Sequence, residues 1–389
     1  MQLHVCGRQC MIKETLGNLC EVVSGGTPSR SRKEFWNGGT IPWLKIGNIK
    51  NKYISEADEY ITQAGLDGSS AKMLTSGTIL YTIFATLGEV GILKIEACTN
   101  QAIAGITVKE SSRLLPEYLY YFLKSKKKYV NNIGRGVAQN NINISILKGF
   151  KIPVFDIEKQ HQIVAGLDVI SSIIELRYKE LQKYDNLVKA RFVEMFGDPI
   201  SNPKGWKEHS LSEKLNVLGG YAFKSDQFNG NEGIPVLRIG NINAGYFKPV
   251  NMVYCKEDKN LEKYIMYPGD LVMSLTGTVG KDDYGNACIL SNDYEMYYLN
   301  QRNAKLEIKE GINKQYLSQI LKFEQIKKRL TGISRGVRQA NISNKDILNL
   351  IVPIPPIELQ EQFADFVNQV DKSKLLWLNP SPIYQPNTS

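Results

Sequence analysis

The amino-acid sequence repeats itself at a spacing close to half its length, and this repetition limits the possible folds more than any other feature. Residues 41–49 (IPWLKIGNI) return as residues 234–242 (IPVLRIGNI), with seven of nine positions identical. Further matches follow in the same order: residues 77–82 with 269–274, 100–101 with 300–301, 134–142 with 334–342, and 153–162 with 353–362. The 389-residue chain is therefore predicted to be a tandem duplication of a domain of about 200 residues.

Each copy divides into a β-rich part and a helical part. Short apolar runs, such as residues 103–108 and 271–275, are separated by Gly, Pro, Asn and Asp, which is typical of strands. Residues 115–129 and 315–330 carry apolar side chains at three-to-four spacing and are predicted to be helices. The predicted fold class is α+β, with two tandem mostly-β domains, each followed by a helical spacer.

The first spacer is predicted to be a long helix over residues 157–196, where there is no proline and Gly166 is the only glycine. Apolar side chains recur there every seven residues, as in the seam of a coiled coil. They are Leu167, Ile174, Leu181, Val188 and Met195. The companion position is mixed and includes Ser171 and Asp185, so the partner surface is predicted to be less regular than that of a zipper.

The predicted domain boundaries follow from these parts. The first β-rich domain covers residues 13–152 and its spacer 153–197; the second covers 206–352 and its spacer 353–377, with a tail at 378–389. The second spacer is the shorter one because prolines at 380, 382 and 386 end its helical pattern.

Composition favours a protein with a polyanionic partner. The formal net charge is +9, which permits a nucleic-acid hypothesis without deciding it. The sequence has no 18-residue apolar run and no signal-peptide core, so we expect a soluble, cytoplasmic protein without a membrane partner. Six cysteines form no Cys-x-x-Cys pair. The spacing of His4, Cys6, Cys10 and Cys20 matches no zinc template, so we expect no metal site.

Catalytic constellations are not supported. Three histidines leave little for a triad, and the sequence contains no phosphate-binding loop or dinucleotide fingerprint. Asp270, Glu307 and Lys309 imitate the carboxylate and lysine pattern of magnesium-dependent nucleases. Copy one has Thr78 and Thr107 in place of the two carboxylates, so ordinary polar residues at strand ends are the favoured interpretation.

The sharpest local motif is Arg-Gly-Val-x-Gln-x-Asn-Ile, at residues 135–142 and 335–342. Its glycine, glutamine and asparagine are interpreted as parts of a shared turn. Arg135 and Arg335 have two open interpretations, which are a contact to a phosphate and an ion pair at the domain edge.

If two such domains face one DNA duplex, shared residues would serve folding and phosphate contact, and differing residues would contact bases. Lys45 and Arg238, at matching positions, are predicted to be phosphate or scaffold residues. The predicted base-reading loops contribute Arg30, Arg32, Lys33, Tyr81, Thr82 and Thr86 in copy one, and Lys224, Ser225, Gln227, Ser274, Thr276 and Thr278 in copy two. For each residue singly, an ordinary solvated loop is an equally open alternative.

The doubled order of motifs resembles the specificity subunit of type I restriction-modification systems. The residues that carry the resemblance are 24–29 (SGGTPS) with 41–49, 135–142 leading into 153–162, and 196–199 (FGDP) leading into 203–206 (PKGW). The resemblance covers about residues 11–372. Copy two departs from it at residues 218–223 (LGGYAF), which keep only the glycine pair.

The resemblance implies a subunit with no chemistry of its own. Each β-rich domain would be a target-recognition domain that reads one half of a bipartite DNA site through the major groove. The spacers would set the separation of the half-sites and dock methyltransferase subunits through the seam residues. S-adenosylmethionine, ATP and magnesium are expected on partner methyltransferase and restriction/translocase subunits, and no cofactor is expected on this chain.

The short second spacer departs from that pattern, in which the two spacers pair. We expect either a shortened coiled coil or an exposed seam around residues 181–195, filled by a methyltransferase subunit or a second copy of the chain. Two alternatives stay open. One is a truncated or recombined specificity cassette that binds DNA without supporting restriction, and the less favoured one is a stand-alone nuclease.

Overall fold

The computed structural model describes residues 12–134, 141–230, 232–279, 283–332 and 339–378. The chain forms two compact units, Met1–Leu176 and Arg177–Ser389. The division lies inside the long helix Ile157–Phe196. Within the described ranges, no helix is long and apolar enough to cross a membrane.

The first unit begins with a mostly-β domain. Its strands are β1 Ile12–Thr15, β2 Cys20–Ser24, β3 Ile41–Leu44, β4 Tyr53–Ile54, β5 Glu59–Ile61, β6 Ile79–Thr82, β7 Val90–Leu93, β8 Cys98–Thr99, β9 Ile103–Val108 and β10 Lys151–Val154. Its helices are α1 Leu16–Leu19, α2 Gln63–Asp67, α3 Pro116–Ser125, α4 Lys127–Gly134, α5 Ile144–Lys148 and the long α6 Ile157–Phe196, which continues into the second unit.

The second unit repeats this series. Its strands are β11 Glu208–Ser210, β12 Leu215–Gly219, β13 Ile234–Leu237, β14 Val253–Cys255, β15 Ile265–Met266, β16 Leu271–Ser274, β17 Thr276–Thr278, β18 Ala287–Ile289, β19 Tyr297–Leu299, β20 Asn303–Ile308, β21 Gln339–Asn341 and β22 Ile351–Pro353. Its helices are α7 Leu211–Lys214, α8 Lys314–Ile320, α9 Glu324–Thr331, α10 Asn344–Leu348 and α11 Ile357–Leu378.

The sheets of the two units have corresponding topologies. The larger sheet of the first unit has the order β2-β9-β6-β7-β4, and its counterpart has the order β12-β20-β16-β18. The second sheets have the orders β5-β3-β8 and β14-β13-β19-β15, with one parallel pair in each, β3 with β8 and β13 with β19. The predicted α+β class and the predicted duplication are confirmed.

Two of the repeated sequence motifs meet in space. In each unit a glycine after the first strand of the larger sheet lies against the backbone of the Asn-Gln motif. A Cβ atom on Gly25 would approach the Asn100 carbonyl oxygen to 2.3 Å, and one on Gly220 would approach the Asn300 carbonyl oxygen to 2.2 Å. Such distances leave no room for a side chain, so Gly25 and Gly220 are required for close packing of the backbone.

The C-terminal third of α6 is buried within the second unit. Val188, Phe192 and Phe196 share a core with Phe363 of α11 and Tyr316 of α8. The Phe192 ring centroid lies 5.3 Å from that of Tyr316 and 5.5 Å from that of Phe363. Aromatic rings at such separations pack favourably beyond the area that they bury.

Of the two expectations for residues 181–195, the exposed seam is contradicted at its positions 188 and 195. Val188 is buried, and Met195 packs against the same core, because α8 and α11 cover this part of the helix. The buried positions 188, 192 and 196 follow the four-residue spacing of a single helix face, which also includes the seam positions 188 and 195.

The most exposed aliphatic side chains of α6 lie earlier in the helix, although Leu187 and Val193 are also exposed, at 48% and 41%. Five apolar side chains there are each more than half exposed, the least exposed of them at 51%. We call this set the apolar strip; it consists of Val169, Ile170, Ile173, Ile174 and Leu176. Monomeric proteins rarely leave such a contiguous apolar surface in water.

Candidate nucleic-acid interface

Arg30 lies in an aromatic cluster on the first β-rich domain. Its guanidinium stands 3.6 Å from the centroid of the Trp36 ring and 4.9 Å from that of Trp43. The two indoles meet edge to face, with centroids 5.1 Å apart. Trp43 is fixed by its Nε1–H, which donates to the Gly26 carbonyl at 3.0 Å. A cation over an indole face is attracted to the ring, so the two indoles hold the exposed arginine in place.

Glu59 joins Arg30 to Lys45. Its carboxylate accepts a hydrogen bond from Lys45 Nζ at 2.5 Å and forms an ion pair with Arg30 Nη1 at 2.6 Å. The hydrogen bond from Lys45 is the main cause that lowers the pKa of Glu59, and Arg30 adds to it. The structure thus brings together a predicted readout residue and a predicted phosphate residue. We call this set the Arg30 cluster; it consists of Arg30, Trp36, Trp43, Lys45 and Glu59.

Strand pairing creates this cluster. Glu59 is the first residue of β5 and lies opposite Trp43 of β3 in the antiparallel register. Lys45 follows β3 directly, and its backbone N–H donates to the Asn48 side chain at 2.9 Å. The short 3₁₀ turn Ile46–Asn48 therefore sets where Lys45 leaves the sheet.

The other predicted basic residues of this loop are exposed. Arg32 pairs with Glu34 at 2.7 Å and stands 4.2 Å from the Phe35 ring centroid. The hydrogen bond from Arg32 is the main cause that lowers the pKa of Glu34. Lys33 begins the 3₁₀ turn Lys33–Phe35 and is exposed. All three cations of the loop face solvent on one short segment.

The second β-rich domain has the same strand pairing and 3₁₀ turn at this place but different side chains. The turn Ile239–Asn241 repeats the first one, and the Arg238 N–H donates to the Asn241 side chain at 2.9 Å. In the matching register, Val236 of β13 faces Val253 of β14, where the first domain has Trp43 and Glu59. Arg238 is exposed, and within the described ranges no carboxylate lies at ion-pair distance from it.

The predicted loop of the second domain forms a 3₁₀ turn, Ser225–Gln227. Lys224, Ser225 and Gln227 are all exposed. The Gln227 side-chain oxygen accepts from the Lys224 N–H at 2.8 Å, which caps the turn and leaves the amide N–H groups available for a ligand.

Comparison with known proteins assigns the chain to a family. The family model described as "Type I restriction modification DNA specificity domain" matches residues 12–183 and again residues 203–377. The chain belongs to this family. The resemblance noted from the sequence is confirmed.

Two curated relatives come from Methanocaldococcus jannaschii. The type I restriction enzyme MjaIX specificity subunit is 31% identical over 246 residues, which are 58% of this chain and 56% of that protein. The MjaVIII specificity subunit is 26% identical over 370 residues, which are 90% of this chain and 80% of that protein. The chain thus spans little more than half of the first relative's length.

Among solved structures, the type I restriction-modification S subunit from M. genitalium superposes with a TM-score of 0.50. The match covers 96% of this chain and 93% of that one at 17% sequence identity, so it supports the fold alone.

Four of the predicted base-reading residues are buried. Tyr81 and Thr82 of β6 and Ser274 of β16 are fully buried, and Thr276 is nearly so. This corrects their assignment, because β6 lies between β9 and β7 and both of its faces are covered. Burial also raises the pKa of Tyr81. Thr86 and Thr278, at the solvent ends of the same segments, are exposed.

The described end of the Arg-Gly-Val motif ties each recognition domain together. The Ile142 N–H donates to the Ile83 carbonyl at 3.0 Å, and the Ile342 N–H donates to the Leu275 carbonyl at 2.8 Å. This end of the motif pairs as a strand, since Gln339–Asn341 forms β21 beside β17 and Asn141 forms an antiparallel bridge with Phe84. The predicted turn is therefore wrong for this end. Arg135 and Arg335 lie outside the described residues.

The five predicted docking residues divide into three groups. Ile174 is exposed and belongs to the apolar strip, while Leu167 and Leu181 are half-buried. The assignment of Val188 is corrected, since it is buried in the core of the second unit, and Met195 is partly buried against the same core.

The nuclease-like residues serve the fold. Asp270 pairs with Lys305 at 3.0 Å and accepts from the Tyr267 N–H at 2.8 Å. Lys309 Nζ donates to the Ser212 carbonyl of α7 at 3.0 Å, as Lys109 Nζ does to the Asn18 carbonyl of α1 at 3.0 Å. The shared lysine therefore caps a short helix in both copies. Across the described ranges, no three His, Cys, Asp or Glu residues cluster as a metal site; His4, Cys6 and Cys10 lie outside those ranges.

Sequence reasoning missed Glu59 and the two indoles of the Arg30 cluster. Trp43 differs from Val236 inside an otherwise conserved repeat, and this difference was the available signal. Nothing in the sequence indicated that Glu59 would lie opposite Trp43, because that contact depends on the strand register.

Proposed function

We propose that this chain is the DNA-binding specificity subunit of a type I restriction-modification complex, in which each recognition domain reads one half of a bipartite target. The observation that carries the proposal is that the family model matches both copies, and each copy consists of a recognition domain followed by a spacer helix. The chain itself would be non-catalytic.

The two recognition domains offer suitable surfaces for DNA. The first presents Arg30, Arg32 and Lys33 on one short loop. The second presents Lys224 and Arg238, with Ser225 and Gln227 beside Lys224 as neutral hydrogen-bonding groups. Guanidinium and ammonium groups suit phosphates and guanine edges, and amides suit adenine edges. Different side chains on a shared frame are what two unlike half-sites require.

The spacer provides a surface for a partner subunit. The apolar strip is exposed on α6, and association with another protein would remove it from water. We assign this surface to a methyltransferase subunit. S-adenosylmethionine would be bound there, ATP and magnesium would be bound by the restriction/translocase subunits, and the chromosomal substrate implies a cytoplasmic location.

Methylation mapping tests the proposal. Co-expression of the full chain with the methyltransferase subunit should yield a stable complex and N6-methyladenine in two different half-sites at one fixed gap. Ile173→Asp introduces a charge into the apolar strip and should abolish co-purification, while Ser172→Asp on the same helical turn should not. Absence of a bipartite methylated site in the presence of an active methyltransferase would contradict the proposed function.

A further inference from the structure

A buried glutamine lies in the first turn of each spacer helix. Gln160 is fully buried. Its Nε2 donates to the Phe155 and Arg113 carbonyls, both at 2.8 Å, and its Oε1 accepts from the Leu115 N–H at 2.9 Å. Phe155 lies just before α6, whereas Arg113 and Leu115 lie just before α3 of the recognition domain. One side chain therefore connects the start of the spacer to the body of the domain.

The second copy repeats this arrangement. Gln360 is also fully buried. Its Nε2 donates to the Pro355 carbonyl at 2.7 Å and to the Gly311 carbonyl at 3.5 Å, and its Oε1 accepts from the Asn313 N–H at 2.8 Å. The peptide groups bound are equivalent in the two copies, although the residues that carry them differ.

A tyrosine adds a second connection at the same place. The Tyr118 hydroxyl donates to the Pro153 carbonyl at 2.7 Å, and the Tyr316 hydroxyl donates to the Pro353 carbonyl at 2.7 Å. In each copy, hydrogen bonds therefore fix the segment between the last strand of the recognition domain and the spacer helix at both of its ends. We call the glutamine and tyrosine of one copy its joint.

We infer that Gln160 and Gln360 are positioning residues that hold each spacer at a fixed angle to its recognition domain and thereby fix the gap between the two half-sites. This inference rests on the proposed function. Hydrogen bonds have a direction, whereas apolar contacts allow sliding, so three bonds from one buried amide define an orientation.

The length of the spacer makes small angles important. A helix of 40 residues is about 60 Å long. A tilt of a few degrees at one end of such a helix displaces the other end by about 3.4 Å, the rise of one base pair. A joint that is loose by a few degrees would therefore accept neighbouring gaps as readily as the native one.

Target selection from a random duplex pool by the full chain tests this inference. Gln160→Met and Gln360→Met keep the side-chain length but remove all three hydrogen bonds. Each variant should select the same half-site bases as the wild type. Its preference for the native gap over a gap one base pair longer or shorter should fall about tenfold, which corresponds to about 1.4 kcal/mol.

Matched controls exist on the same helices. Gln162→Met and Gln362→Met change exposed glutamines two positions further on and should leave the gap preference unchanged. Thermal melting establishes that each variant is folded. If the methionine variants do not fold, Tyr118→Phe and Tyr316→Phe serve instead, because each removes one hydroxyl. Each should lower the preference for the native gap by a smaller factor.

The outcomes separate the two claims. A wild-type chain that selects no bipartite site would contradict the proposed function and remove the basis of this inference. Folded joint variants that lose affinity equally for all gaps, and keep the strict wild-type gap, would overturn the positioning role while leaving the proposed function intact.

Discussion

The two recognition domains are alike where they join their spacers and unlike where their loops face solvent. At the joints, both tyrosine hydroxyls donate to a proline carbonyl at the same distance of 2.7 Å. On the loops, Trp43 and Glu59 of one domain correspond to Val236 and Val253 of the other. After duplication the frame has been kept and the surface has changed, as expected if each domain contacts a different sequence on one duplex.

The long helix α6 shows a second contrast along its own length. Val188, Phe192 and Phe196 are buried in the core of the second unit, whereas Ile173 and Ile174 are 51% exposed. Both stretches are rich in apolar residues. The covering helices make the difference, because α8 and α11 pack against the C-terminal third.

The largest predicted effect tests this contrast along α6. Phe192→Ala should destabilise the second unit by about 3–5 kcal/mol, because it opens a cavity among the rings of Tyr316, Phe323 and Phe363. Ile173→Ala in the apolar strip should change stability by less than about 0.5 kcal/mol. Hydrogen exchange, followed separately for peptides of each unit, measures both changes. Equal losses for the two variants would contradict the described burial.

A smaller effect tests the contrast between the recognition loops. Arg238→Gln should reduce the slope of log K for DNA binding against log salt concentration by about 1, because it removes one unpaired cation from the second domain. Lys45→Gln at the matching position should have a smaller effect, since Glu59 already neutralises Lys45. Titration of duplex DNA at several salt concentrations measures the two slopes. A larger change for Lys45→Gln would show that its ion pair is broken in the complex.

Removal of the Glu59 charge should make the first domain behave more like the second. Glu59→Gln frees Arg30 and Lys45 from their shared carboxylate, so the salt dependence should become steeper by up to about 1. Glu56→Gln makes the same change in net charge at an exposed position three residues earlier and serves as the control. Identical slopes for the two variants would mean that the Arg30 cluster does not contact DNA.

Much of this fold could be predicted from the sequence because duplication marks every element twice. The helix over residues 157–196 and the glycine pairs follow from periodicity and repetition. Burial could not be predicted as well. Tyr81 seemed available to DNA because its segment ends in a loop, yet β6 is an inner strand with neighbours on both sides. Phe192 lies outside the predicted seven-residue seam, yet it is the most enclosed aromatic residue of α6. Its partners are Tyr316 of α8, Phe363 of α11 and Phe323, which directly precedes α9.

The smallest predicted effect concerns a contact that only the first copy has. Asp168 of α6 accepts from Lys52 Nζ and, at 2.5 Å, from the Tyr121 hydroxyl, so it links the spacer to the recognition domain. The second copy has Asn368 and Gln319 at the positions of Asp168 and Tyr121. Partial burial acts to raise the pKa of Asp168, but the hydrogen bonds from Lys52 and Tyr121 and the charge of Lys52 outweigh it, and the pKa is lowered overall.

The sign of the pH dependence follows from this lowered pKa. A carboxyl whose pKa is lower in the folded state stabilises the fold above its unfolded pKa, and this stabilisation is lost as the pH falls through the folded value. At pH 7 Asp168→Asn should therefore cost the first unit about 1 kcal/mol or less, because the pair is partly exposed. The cost should begin to shrink as the pH falls below about 4, the unfolded value, and should vanish below the lowered pKa of the folded state. Unfolding followed in the first unit at several pH values measures this, with Asn368→Asp as the matched change in the second copy. A cost that is the same at every pH would show that Asp168 acts through packing rather than through its charge.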